Sequence, residues 1–119
     1  MEGIKDNILS LDNRIFYVGF LDKAGNILEG KYKVGTESLF PPNELQKFTL
    51  EVAIRRRMRE EWDNTLGKVL ATVVARDRVT IATFYVGERT LLILIERGAP
   101  LGILDPVDYL RYYLHSIQE

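Results

Sequence analysis

Four arginines in one short run are the residues of this sequence whose type and spacing could do chemistry: Arg55, Arg56, Arg57 and Arg59. Clustered guanidinium groups bind phosphate or carboxylate oxygens through paired hydrogen bonds. Four acids flank them: Glu51, Glu60, Glu61 and Asp63. On a helix the pairs 51/55, 56/60, 57/61 and 59/63 each lie one turn apart. We therefore favour a surface lattice of ion pairs over an anion site, and both interpretations stay open.

The other reactive groups do not combine into a site. The chain has no cysteine and one histidine, His115, which falls near the C-terminus of a predicted helix, where the helix dipole favours positive charge. Asp105 and Asp108 fall at the N-terminus of that helix, where carboxylates stabilise unpaired N–H groups. Consecutive positions such as Glu60 and Glu61 point in different directions and cannot converge on one ion. We expect no metal, no cofactor and no enzymatic activity.

Composition limits the possible classes of protein. A chain of 119 residues is long enough for one core and too short for two, which predicts a single domain over residues 1–119. Sixteen basic and seventeen acidic residues nearly cancel, so no overall field would attract nucleic acid or an anionic membrane. We expect neither partner. The absence of cysteine fits a reducing compartment, and we expect a cytoplasmic protein.

The first third of the chain is predicted to form a helix followed by a β-hairpin. Residues 14–21 are β-branched or aromatic, residues 22–26 supply a tight turn, and residues 26–34 alternate as the returning strand. This alternation predicts a half-exposed or edge strand, with Lys31 and Lys33 on one face, where lysines discourage further pairing. Apolar residues recur at helical spacing before the hairpin: Ile4, Ile8, Leu9 and Leu11.

A long helix is predicted from Pro42, as its first residue, to about Trp62. It has two apolar stripes. One stripe contains Leu45, Phe48 and Val52, and the other contains Leu50, Ala53, Ile54, Met58 and Trp62. One stripe suffices to cover a sheet, so the second suggests another contact. The candidate interface residues are therefore Leu50, Ile54, Met58 and Trp62, with Trp62 either an interface anchor or a core residue.

Three further strands are predicted at residues 69–75, 78–86 and 90–95. The run LLILI has no polar face, which is typical of a central strand. Asp105 then caps a helix that begins at Pro106, with an inward stripe of Val107, Leu110, Leu114 and Ile117. The order α-β-β-α-β-β-β-α predicts an α+β fold with one five-stranded antiparallel sheet and helices on its faces.

This pattern resembles a known family. The order of elements, the 22–26 turn, the Leu66-Gly67 step and the stretch Ala-Pro-Leu-Gly at 99–102 are similar to the roadblock/dynein-light-chain superfamily, within the profilin-like group. Leu66-Gly67-Lys68 and LLILIE also resemble small archaeal proteins of the same apparent fold. The resemblance implies a five-stranded antiparallel sheet and dimerisation through the long helix and the adjacent edge strand. It also implies a non-catalytic platform, often for small GTPases.

Two classes of function remain. The first is a non-enzymatic dimeric interaction or scaffold module, with a protein partner such as a small GTPase. The alternative is a PAS- or GAF-like small-molecule sensor, whose pocket would lie between sheet and helix. Six tyrosines could line such a pocket or pack in the core. The aliphatic central strands favour a filled interior and hence the interaction module.

Overall fold

A single antiparallel sheet organises the chain, with strand order β2-β1-β5-β4-β3. The computed structural model describes residues 2–36, 39–41 and 43–108. The elements are α1 (Glu2–Leu9), β1 (Ile15–Leu21), β2 (Ile27–Tyr32), α2 (Glu44–Glu60), α3 (Asp63–Leu66), β3 (Ala71–Ala75), β4 (Val79–Val86) and β5 (Arg89–Glu96). A 3-10 turn follows at Leu101–Leu104, and residues 105–108 are helical. The predicted α+β class and the antiparallel five-stranded sheet are confirmed.

The central position of β5 follows from its sequence. Every residue from Thr90 to Ile95 is buried, and the strand pairs with β1 on one side and β4 on the other. Ile93, for example, lies opposite Val18 of β1 and Ala82 of β4. A strand without a polar face is stable only where both sides are covered. The central position that the LLILI run predicted for this strand is therefore confirmed.

Alternating residues of the strands build two apolar layers. One layer packs Val18, Phe20 and Ile93 against Ile8 of α1. The opposite layer contains Leu21, Ile81, Leu92 and Leu94 together with Val52 of α2. Two-residue alternation places these side chains on opposite faces of the same strands. The sheet is therefore covered by α1 on one face and by α2 on the other.

Tyr17 of β1 lies deep in the layer beneath α2. Its side chain is 2% exposed, and its ring centroid is 4.6 Å from that of Tyr32. The ring lies over two glycines, because a Cβ atom on Gly19 would come within 2.7 Å of the Tyr17 hydroxyl and one on Gly30 would also collide with it. The hydroxyl has no hydrogen-bond partner among the described residues. The two glycines thus make room for a buried polar group.

The β1–β2 turn also positions α2. The Asp22 carboxylate accepts hydrogen bonds from the backbone N–H groups of Ala24 and Asn26, both at 2.9 Å. Gly25 has φ +87°, and a Cβ atom there would lie 2.8 Å from the Leu50 Cα atom. A glycine is required both for the left-handed backbone and for the close approach. The turn therefore packs directly against the middle of the helix.

Several predicted boundaries need correction. The helix α2 ends at Glu60, and the separate short helix α3 follows before Gly67. The helix α2 begins at Glu44, directly after Asn43, which has a left-handed backbone and no side-chain capping bond. Ala53 is buried and does not belong to the outer stripe. The third strand begins at Ala71, two residues later than predicted.

The end of the described chain also differs from the sequence prediction. Asp105 has φ −54° and ψ −44°, which are helical values, so it does not have the extended backbone of an N-cap residue. The unexpected 3-10 turn directly precedes it. Pro42 and the residues predicted on the last helix after Asp108, including Leu110, Leu114, His115 and Ile117, lie outside the described residues.

Candidate interaction surface

Exposed apolar side chains are concentrated in one stretch of the chain. No residue between positions 54 and 78 is buried, although this stretch includes the second half of α2, all of α3 and the strand β3. Its large exposed apolar residues are Ile54, Met58, Trp62, Leu66, Leu70, Val73 and Val74. We call these seven residues the apolar flank. A concentration of this kind is typical of surfaces that contact another molecule.

The four residues predicted as an interface all lie on the surface. Leu50 and Ile54 are each 49% exposed, Met58 is 61% exposed and Trp62 is 57% exposed. Trp62 is therefore not a core residue of its own chain. The inner stripe of the same helix packs on the sheet, with Val52 buried and Leu45 and Phe48 partly buried. The two predicted stripes are thus separate surfaces, apart from Ala53.

A groove of about 190 Å³ separates α2 from the edge strand β3. Its apolar lining includes Phe48, Val52, Val74 and Ile81. Its charged lining consists of Glu51, Arg55, Arg59 and Arg76. Residues of α2 and β3 line this groove together, so an approaching partner could contact both elements at once.

The strand β3 is an unprotected sheet edge. Arg76 N–H donates to the Val79 carbonyl at 2.9 Å and Tyr85 N–H donates to the Leu70 carbonyl at 3.2 Å. Antiparallel pairs alternate, so Ala71, Val73 and Ala75 direct their backbone groups away from β4. No charged residue lies between positions 69 and 75. An edge without charge or proline can pair with another strand.

The opposite edge, β2, is protected. Lys31 Nζ lies 2.5 Å from Asp6 and Lys5 Nζ lies 3.4 Å from Glu29, so ion pairs connect this strand to α1. The lysines at this edge were predicted to discourage pairing, and the position of β2 at the edge is confirmed. Of the two edges, β3 is the one suited to association.

The arginine run forms only part of the predicted lattice. Arg55 Nε lies 3.4 Å from Glu51 and Arg56 Nε lies 3.8 Å from Glu60. The pairs 57/61 and 59/63 are absent from the ion pairs of the described residues. Arg55 and Arg59 line the groove beside β3, whereas Arg56 and Arg57 line a second groove. The four guanidinium groups therefore do not share one site.

Arg56 has a role that the sequence analysis missed. Its Nη1 atom donates to the Arg89 carbonyl at 2.8 Å and to Thr90 Oγ1 at 3.1 Å, and Nη2 donates to the Gly87 carbonyl. The guanidinium carbon also lies 4.4 Å from the centroid of the Tyr85 ring. One signal was available, because Arg56 follows Val52 by four residues and Ala53 by three, and so faces the sheet.

The second groove has a volume of about 720 Å³ and lies beside the turn between β4 and β5. Its lining contains four acids and four bases: Asp22, Glu60, Asp63, Glu88, Lys23, Arg56, Arg57 and Lys68. Balanced charge gives no preference for an anion or a cation. The space directly between α2 and the sheet is filled by side chains such as Leu21, Ile81 and Leu92, which is unlike a sensor pocket.

Within the described residues, no three histidine, cysteine or acidic side chains are grouped as metal ligands would be. Across that same part of the chain, no helix has both the length and the apolar character needed to cross a membrane.

The strand order, the long helix between β2 and β3, and the flanking helices define the roadblock/LC7 arrangement. This fold is shared with two structures of MglB, one of them the gliding protein from Thermus thermophilus. That structure superposes with a TM-score of 0.80 at 18% identity, over 98% of this chain and 85% of the other. The second is described as MglB with a tetrameric arrangement and has a TM-score of 0.80, 20% identity and the same coverages.

Two further structures support the fold. The roadblock/LC7 domain from Streptomyces avermitilis matches with a TM-score of 0.72 at 13% identity, over 98% of this chain and 92% of that domain. LokiProfilin2, solved in complex with rabbit actin, has a TM-score of 0.58 at 17% identity, over 98% and 96% of the two chains. The sequence itself matches no family model and no curated protein. The roadblock and profilin-like resemblance is therefore confirmed at the level of the fold.

Proposed function

We propose that the protein is a non-enzymatic, homodimeric scaffold module, with residues 1–119 as one domain, and that it presents a binding face to another protein. The observation that supports this proposal is the stretch 54–78, in which no side chain is buried and seven large apolar residues are exposed. Covering such a surface by association stabilises it, at about 25 cal/mol for each Å² of apolar area removed from water.

The sequence of α2 supports antiparallel pairing with its own copy. A row of residues spaced by three and four positions, the spacing of a helix–helix seam, runs along the side of α2 between its two stripes. It contains Phe48, which is partly buried at the inner margin, then Glu51, Arg55 and Met58, and it continues to Trp62 just beyond the end of the helix. A twofold axis midway between Glu51 and Arg55 would place Glu51 beside Arg55 of the partner subunit. The reciprocal pair, Arg55 beside Glu51 of the partner subunit, would form on the other side of the axis. The same axis would place Phe48 beside Met58 of the partner subunit. The seam is therefore complementary to itself, as a twofold interface must be.

The edge strand lies beside this seam. Phe48, Glu51 and Arg55 of α2 line the same groove as Val74 of β3, so two copies that meet along the helix also bring their β3 edges together. Pairing of these edges would supply partners for the outward backbone groups of Ala71, Val73 and Ala75. We therefore propose that helix and strand form one interface.

Charge reversal tests the seam. Glu51→Arg and Arg55→Glu should each weaken self-association by about tenfold or more, because like charges then face each other across the axis. The double variant should recover the association, since it restores opposite charges. Sedimentation velocity over a range of protein concentrations measures the three dissociation constants. A double variant as weak as the single variants would contradict this geometry, and a wild-type monomer at all concentrations would contradict the dimer.

An apolar substitution provides a second test with a matched control. Met58→Glu should convert the dimer to monomer, because it buries a carboxylate in the seam. Leu28→Glu alters a residue with similar exposure, 46%, on the protected β2 edge and should leave the dimer intact. Light scattering after size-exclusion chromatography gives the masses. Equal effects of the two substitutions would show that general destabilisation, not the interface, causes dissociation.

The protein partner would contact the outer surface of the two helices, where Leu50 and Ile54 remain outside the seam. The resemblance to roadblock modules suggests a small GTPase as this partner. Leu50→Glu should therefore keep the dimer and lose the partner in a pull-down from the native source, scored by mass spectrometry for a stoichiometric GTPase. Leu11→Glu, with 42% exposure, is the control. Retention of every partner by Leu50→Glu would contradict this assignment.

We also propose that the module works in the cytoplasm, consistent with the absence of cysteine. A small-molecule sensor is less well supported, because side chains fill the layer between α2 and the sheet. A thermal-shift screen of metabolites separates the two functions, since a ligand bound preferentially by the folded state raises the melting temperature. A strong shift with one metabolite, without a protein partner, would favour the sensor.

A further inference from the structure

The helix α2 is attached to the sheet unevenly along its length. Its buried residues, Thr49, Val52 and Ala53, all lie in its first ten positions. Beyond Ala53 every residue of the helix is exposed except Arg56 and Arg59, which are partly buried. The second half of α2 therefore has no apolar side chain inserted into the core. Contacts of another kind must hold it in place.

Arg56 provides the strongest of those contacts. The arginine side chain is 16% exposed and donates hydrogen bonds to the carbonyl groups of Gly87 and Arg89 and to the Thr90 hydroxyl. The guanidinium plane is supported by the Tyr85 ring. Hydrogen bonds from a charged donor are stronger than neutral ones, and a cation over an aromatic ring adds further attraction. The contact of Arg59 with the Tyr85 hydroxyl is longer, at 3.4 Å.

We propose that Arg56 is the positioning residue of the binding surface: by inserting its guanidinium into the β4–β5 turn, it fixes the second half of α2, including Ile54 and Met58, against the sheet. The turn itself does not need this arginine, because the β4–β5 ladder continues without interruption from Val79–Glu96 to Val86–Arg89. Removal of Arg56 should therefore loosen the helix and leave the sheet intact.

The chemistry of the site requires an arginine. Three acceptors and one ring face surround the side chain, and a planar guanidinium has five N–H groups that can serve several acceptors at once while it stacks on a ring. A lysine ammonium is a compact charge that can reach some of the acceptors but cannot stack as a plane. Arg56→Lys should thus be intermediate between the native arginine and alanine.

Hydrogen exchange of the full chain tests the proposal. In Arg56→Ala the amides of residues 57–62 should exchange about ten to a hundred times faster than in the native protein, the size expected for losing hydrogen bonds from a charged group. Arg57→Ala is the matched control, because Arg57 follows Arg56 on the same helix, is exposed and lies outside the proposed seam. Tyr85→Phe keeps the ring and should leave the Arg56 contact unchanged.

Two results would overturn the proposal. Exchange at residues 57–62 that is equally fast in Arg56→Ala and Arg57→Ala would show that Arg56 does not hold the helix. Acceleration of equal size in β4 and β5 would show that the arginine supports the whole fold instead of positioning one helix.

The effect on association rests on the proposed function and is measured separately. If the dimer forms through α2, Arg56→Ala should weaken it by several-fold while the melting temperature changes little, and Arg56→Lys should recover part of the affinity. If Arg56→Ala loosens the helix in the exchange experiment but leaves the affinity of the dimer unchanged, the positioning role is overturned. A monomeric native protein would remove the proposed dimer, and the exchange experiment would still decide whether Arg56 anchors the helix.

Discussion

Replacing Tyr17 with phenylalanine should stabilise the protein. The tyrosine is 2% exposed, and its hydroxyl has no hydrogen-bond partner among the described residues. An unpaired buried polar group costs about 1–3 kcal/mol, whereas loss of the contacts made by one oxygen atom costs less than about 1 kcal/mol. We therefore expect the free energy of unfolding to rise by about 1 kcal/mol, which corresponds to roughly 3–5 °C in melting temperature for a chain of this length.

The same substitution should change the response to alkali. Burial raises the pKa of the Tyr17 phenol to about 12, from an ordinary value of 10.0. The pKa of this phenol is higher in the folded than in the unfolded protein, so ionisation favours unfolding. Its contribution to the free energy of unfolding is therefore complete below pH 10 and is lost as the pH rises from 10 to 12. The wild type should lose up to about 1.4 kcal/mol for each pH unit in this window relative to Tyr17→Phe.

Urea unfolding followed by circular dichroism, at pH 8 and at intervals above pH 10, measures both effects. Tyr85→Phe is the control at pH 8, because its hydroxyl accepts a hydrogen bond from Arg59 and its removal should be neutral or slightly destabilising. A less stable Tyr17→Phe protein, or equal alkaline slopes for it and the wild type, would refute the reasoning and indicate a hydrogen-bond partner for the hydroxyl.

Three further substitutions test the contacts around the β1–β2 turn. Gly30→Ala should destabilise the protein by more than about 1 kcal/mol, because its Cβ atom would collide with the Tyr17 hydroxyl; a thermal melt equal to that of the wild type would contradict the packing. Gly25→Ala should also lower the melting temperature, since φ is +87° and the Leu50 Cα atom is 2.8 Å from the added Cβ. Asp22→Ala should make the protein less sensitive to acid. A hydrogen bond from the Asn26 side chain lowers the pKa of the Asp22 carboxyl below 3.8. The stability that this carboxylate contributes is therefore complete above pH 3.8 and is lost as the pH falls below it. Unfolding curves from pH 5 to pH 2 measure the loss, with the exposed Asp77→Ala as control.

The centre of the sheet could be predicted from sequence because it follows from local composition. The LLILI run has no polar face, so it must be covered on both sides, and the alternation around Lys31 and Lys33 is typical of a half-exposed or edge strand. The order of the other strands did not follow from such local patterns. The outward positions of Leu50, Ile54, Met58 and Trp62 could also be predicted, because helical periodicity assigns faces without knowledge of the neighbouring strands. These predictions needed only short windows of sequence.

The contacts of Arg56 could not be predicted in the same way. Charge pairing one helical turn away is a local rule, and it correctly predicted the contact of Arg56 with Glu60. The other acceptors come from residues 87–90, more than thirty positions later. Two of them, the carbonyl groups of Gly87 and Arg89, are backbone groups that no side-chain pattern reveals. The break between α2 and α3 was missed because Trp62 follows Met58 by four residues and so continues the apolar spacing of the helix. The weak helix formers Asp63, Asn64 and Thr65 mark the break better than the spacing does.

The sheet order has a consequence for how the chain folds during synthesis. The strand β1 pairs with β5, whose residues follow about seventy to eighty positions later, so the β1–β2 hairpin leaves the ribosome long before this neighbour exists. Until Ile93 and Leu91 are available, Val18 and Phe20 have no neighbouring residue on the β5 side of the strand. Pairing over such a long sequence separation is slow, and exposed strand edges are prone to aggregation in the meantime. Among the described strands, the β1–β2 hairpin is therefore the one that must wait longest for its neighbour in the sheet.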